Sequence, residues 1–153
     1  MKDSPSKLDE CLQKTEELLD YLEKPSPKAS IVLGKVMRLS QLRGDTEMYV
    51  WAKNELYGYS GGIQEVRKSS PSRRFISKNN QPSFLIMGVE ALEKIIDRSS
   101  QSTIFSIENG IYDVNDNPCK VSVFHESIDL FVSSILRTCH NYVLTQYTEL
   151  TPY

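Results

Sequence analysis

The chain has 153 residues, 39% of them hydrophobic and 25% charged, with a net charge of −2 and a pI near 5.7. That length holds one core and is short for two domains. The near-neutral balance gives the whole chain no electrostatic pull toward DNA, RNA or membranes, and its composition is that of a globular domain with polar loops.

In chain order, Ser4 is placed to cap a first helix with Pro5 at its first position. Leu8, Cys11, Leu12, Leu18, Leu19 and Leu22 follow at helical spacing, with a gap at Thr15, and Pro25 and Pro27 end the element. Acids dominate this stretch: Asp3, Asp9, Glu10, Glu16, Glu17, Asp20 and Glu23 against Lys7 and Lys14. A second helix is expected from about Ala29 to Arg43, with Val32, Val36 and Leu39 on one face and Leu33 and Met37 widening the stripe. Gly44 suits the left-handed position after a helix, and Asp45 or Thr46 suits the next N-cap. The third helix, Glu47 to Tyr57, puts Met48, Ala52 and Leu56 on one face with Trp51 beside them. The short link makes a helical hairpin over about 29–57. Trp51, Tyr57 and Tyr59 are expected to cover its core, with Gly58 ending the helix.

From Gly58 to Ser83 the composition turns to Gly, Ser, Pro, Asn and basic residues, read as a polar loop or a set of short pieces. Arg67, Lys68, Arg73, Arg74 and Lys78 fall here, and residues 67–78 contain no acid. Val89 to Asp97 reads as a short helix. Thr103, Phe105 and Ile107 alternate, as do Val121 and Val123, which suggests a small β-hairpin near 102–124 around Asn109-Gly110 and the Asp113–Pro118 turn residues. A last helix, about Glu126 to Glu149, carries Ile128, Phe131, Val132, Ile135, Cys139, Tyr142, Val143 and Tyr147 at a 3.6-residue period. The expected fold is therefore mainly α, one helical domain over 1–153.

Cys11, Cys119 and Cys139 are odd in number and widely spaced, and the chain opens on the polar Met1-Lys-Asp-Ser-Pro5. Both point to a reducing cytoplasm. The sparsely charged run from Leu130 to Thr148 includes Arg137, His140, Asn141 and Gln146, too polar for hydrocarbon.

No catalytic pattern emerges. His125, His140 and the cysteines lack the spacings that converge on a metal. Cys139 and His140 are adjacent, so on a helix they point about 100° apart and cannot serve each other as nucleophile and base. Ser60-Gly61-Gly62 lacks the lysine of a phosphate loop. Glu90, Glu93 and Asp97 share a helix and would suit a metal-dependent toxin, though a solvated face is the plainer reading. No cofactor is expected. The basic segment, with Phe75 beside it, reads most plainly as a solvated or disordered loop; it would also suit phosphates and a stacked base, or an acidic surface such as the first helix.

The block from Ser30 to Tyr59 resembles the N-terminal signature of the AbiTii domain of bacterial abortive-infection and other phage-defence proteins. The resemblance rests on Trp51, Glu55, Leu56, Gly58 and Tyr59, preceded by Val36-Met-Arg-Leu-Ser-Gln-Leu-Arg43 and Gly44-Asp45. Arg73-Arg74, Ala91-Leu92-Glu93 and Ile128 to Leu150 are similar in order to later parts of that domain, while the tyrosine-arginine pair expected after Tyr59 is absent. The resemblance implies a sensing, docking or oligomerising module and brings no catalytic residues. The resulting expectation is protein–protein contact in antiviral defence, as a homo-oligomer or with a partner effector. Arg67, Lys68, Arg73, Arg74, Phe131, Ile135 and Tyr142 are the candidate contact residues. The alternative is nucleic-acid binding through 67–78.

Overall fold

The computed structural model describes residues 5–76, 80–98 and 103–151. The Ser4 cap, Lys78 and the first residue of the expected 102–124 hairpin lie outside them. Among the described residues the fold is mainly α, with six helices: α1 Pro5–Leu22, α2 Ala29–Leu42, α3 Thr46–Tyr57, α4 Ile63–Ser69, α5 Val89–Arg98 and α6 His125–Leu150. Five short strands accompany them: β1 Arg74–Ile76, β2 Pro82–Leu85, β3 Ile104–Ile107, β4 Ile111–Asp113 and β5 Val121–Phe124. The chain divides into two compact units, residues 1–53 with 135–153, and residues 54–134.

The first unit is helical. Cys11 and Leu18 of α1, Val32, Leu33, Val36 and Leu39 of α2, and Ile135, Cys139 and Val143 of α6 are buried. Thr15, a gap in the α1 stripe, is buried too. Its hydroxyl donates to the Cys11 carbonyl at 2.7 Å, so the helix satisfies its own polar group and the stripe continues. After α2, Gly44 takes φ +70° and the Asp45 amide donates back to the Ser40 carbonyl at 2.8 Å. Asp45 then caps α3 by accepting from the Met48 amide at 3.3 Å. Arg43 is held by Gln146 at 2.8 Å and Glu149 at 3.2 Å near the end of α6.

The second unit is mixed. β1, β2 and β4 form one antiparallel sheet in the order β1-β2-β4, with Arg74 opposite Phe84 and Phe84 opposite Tyr112. β3 and β5 form a second pair, Phe105 opposite Val123. The alternation at Phe105/Ile107 and Val121/Val123 thus pairs as the pattern indicates. The segment between them is more than a turn, because β4 leaves to join β2. The stretch 58–83, read as a polar loop, is largely ordered as α4, a 3₁₀ turn at Pro71–Arg73, and β1. Ile63 and Val66 are the reason: they bury with Tyr59 and Phe84, giving the polar segment an apolar anchor.

Candidate functional site

Glu55, Leu56, Gly58 and Tyr59 of the signature lie at and just after the end of α3. Gly58 has φ +115°, a conformation that favours glycine, and turns the chain so that the Tyr59 amide donates to the Ile86 carbonyl at 3.0 Å. Opposite, Gly88 lies so close to α3 that a Cβ there would fall 2.1 Å from the Leu56 carbonyl oxygen. Two backbones cross with no side chain between them.

At this crossing sits a buried ion pair. Glu55 and Arg73 are both 0% exposed, and Arg73 Nε donates to Glu55 Oε1 at 2.9 Å. The rest of the guanidinium is engaged as well. Nη2 donates to the Glu55 carbonyl at 2.9 Å, and Nη1 donates to the carbonyls of Leu85, at 3.1 Å, and Met87. Tyr59 Oη donates to Glu55 Oε2. The Tyr59 and Phe131 rings lie 4.9 and 5.0 Å from the Arg73 guanidinium carbon, and Phe131 makes an edge contact with Phe75 at 6.1 Å. Burial first, and then the Glu55 carboxylate, push the Tyr59 phenol far above its ordinary value of 10. It therefore stays protonated and donating. With both charges paired and desolvated, and Arg73 joining the end of α3 to β2 and the turn after it, the arrangement acts as a joint. No part of it is presented to solvent for substrate chemistry.

This overturns part of the expected contact surface. Arg73 does not belong to an exposed basic patch; among the described residues of the segment, Arg67, Lys68 and Arg74 are exposed. Phe131, Ile135 and Tyr142 are buried rather than displayed on α6, because the apolar period that singles them out is what faces the core. Tyr142 has its phenol pushed up by burial and then by Asp45. Among the signature residues Leu56 and Tyr59 are buried and Trp51 is half-buried. Tyr57 is exposed, so it does not cover the hairpin core. The Glu55–Arg73 pairing escaped the sequence reading, yet a signal exists. Side chains alternate along β1, with Arg74 and Ile76 exposed and Phe75 buried, and Arg73, the last residue of the 3₁₀ turn, is buried just before it. The run places one arginine of the pair inward.

Elsewhere, Glu90 and Asp97 on α5 are exposed and Glu93 is half-buried. Among the described residues no group of three or more His, Cys, Asp or Glu is placed to hold a metal ion. None of the three cysteines forms a disulfide, and Cys139 and His140 lie buried and half-buried on α6. No helix of the described residues is long and apolar enough to cross a membrane. Comparison with protein-family models, with curated proteins and with solved structures returns no match to this chain.

Proposed function

We propose that this chain is an AbiTii-like, non-catalytic interaction module of bacterial antiphage defence, acting in the cytoplasm by self-association or by docking a partner effector. The observation that carries the assembly reading is on α6. Leu144, 45% exposed, and Tyr147, one turn on, present apolar surface. Apolar side chains repeated along one helix are costly to leave wet and are covered at protein contacts. These residues replace Phe131, Ile135 and Tyr142 as the α6 contact set. The antiphage context rests on the resemblance. It is supported by the way Glu55 and Tyr59 meet Arg73 in one buried joint, which gives these two motif positions a shared structural role.

Infection of the native host tests this directly. Cells carrying the chain with its neighbouring genes are expected to restrict phage plating, and the Leu144→Glu/Tyr147→Glu variant, still folded by circular dichroism, to lose that restriction. Equal plating with and without the chain, or full restriction by the variant, contradicts the reading. A second reading, nucleic-acid binding, is favoured by the exposed Arg67, Lys68 and Arg74. It requires binding that weakens steeply with salt and is lost on replacing all three by alanine.

A further inference from the structure

The face of the β1-β2-β4 sheet that carries Arg74, Phe84 and Tyr112 is only partly covered by α4. Where α4 ends, an open cleft of about 400 Å³ remains. Its apolar wall includes Val66, Pro82, Phe84 and Val114, and Arg67 and Arg74 are its only charged lining residues. That volume lies in the range of small-molecule sites, and so does the make-up: apolar walls with a few convergent polar groups.

The two arginines are placed differently. The Arg67 guanidinium carbon lies 4.6 Å from the centroid of the Phe84 ring, so the ring supports it from one side. A guanidinium held on an aromatic face offers its other face to a second flat group. Arg74 stands directly across the strands from Phe84, on the same face, exposed. Neither guanidinium has a salt-bridge partner among the described residues.

We propose that this cleft binds a small ligand made of a flat apolar ring bearing an oxyanion, phosphate or carboxylate. The ring stacks on Arg67 against the apolar wall, and the oxyanion takes the fork of donors on Arg74. The site gives the module something to sense, and it stands independently of assembly through α6.

Isothermal titration of the full chain with phenyl phosphate, benzoate, adenosine monophosphate and inorganic phosphate tests the proposal. The ring-bearing anions are expected to bind at least about tenfold more tightly than inorganic phosphate, since only they add a stacked ring. Tighter binding of the nucleotide than of phenyl phosphate assigns the ligand to the nucleotide class, and the reverse order assigns it to the simple aromatic acids. Arg67→Ala and Arg74→Ala are each expected to weaken binding about tenfold or more, and Arg74→Ala, whose side chain is exposed, to leave the melting temperature of the free chain unchanged. Val114→Trp, from an exposed position on the wall, is expected to block the site. Absence of binding by every probe at low salt, inorganic phosphate binding as tightly as the ring-bearing anions, or wild-type affinity in Val114→Trp overturns the proposal. So does binding confined to oligonucleotides.

Discussion

Arg73 is tightly held: its guanidinium donates four hydrogen bonds and lies against the Tyr59 and Phe131 rings. Removing one member of a buried pair leaves the other charge uncompensated, which costs about 3–5 kcal/mol. Glu55→Leu and Arg73→Met are each expected to lose that much in urea unfolding. The double variant should lose less than the sum, by a coupling of about 0.5–3 kcal/mol. It will not return to the parent value, since the carbonyls of Glu55, Leu85 and Met87 lose their donor with Arg73. Additive losses of under about 1 kcal/mol each would mean that the pair is not a joint. The two buried phenols add a pH signature. An unfolded tyrosine ionises near pH 10, whereas burial and the neighbouring carboxylates Glu55 and Asp45 keep Tyr59 and Tyr142 protonated in the fold. Above that pH the unfolded chain releases protons that the fold retains. Stability is therefore intact below about pH 10 and falls above it by about 1.4 kcal/mol per pH unit for each tyrosine. Tyr59→Phe and Tyr142→Phe should each remove one share of that alkaline slope in denaturant titrations at pH 9 to 11.

At the scale of elements, the crossing of α3 with the segment after β2 separates two kinds of glycine. Gly88→Ala would drive a methyl into the Leu56 carbonyl and is expected to cost about 1–3 kcal/mol or more. Gly34 lies within α2 with nothing within 4 Å of its would-be Cβ, so Gly34→Ala should stabilise the fold by about 0.5–1 kcal/mol. Opposite signs in the melting temperatures are the check. The same contrast shows what the sequence discloses. α2, α3 and α6 are legible because long 3.6-residue periods and end signals such as Gly44 and Asp45 are local. The Phe105/Ile107 and Val121/Val123 strands show in their alternation. α4, β1 and β2 are hidden, because each is short and is formed through partners far along the chain. Ile63 and Val66 find Phe84, and Phe84 finds Tyr112. The joint is hidden for the same reason: Glu55 and Arg73 look like a solvated acid and a basic-loop arginine until the fold puts them together. A strong period also misleads about contact surfaces, since Phe131, Ile135 and Tyr142 stand out by facing inward.

For the whole molecule, Glu55, Leu56 and Tyr59 are buried in the scaffold, and the surfaces proposed for contact and for ligand binding are Leu144 with Tyr147 on α6 and the cleft between α4 and the sheet. The proposed function works by contact, so oligomeric state is the property that decides it. Light scattering coupled to size exclusion, on the chain alone and on the chain purified from its native host, measures that property. The expected result is a mass above that of the 17.5 kDa chain, as a homo-oligomer or a complex with an effector, falling to the monomer in Leu144→Glu/Tyr147→Glu. A strict monomer in both preparations contradicts it.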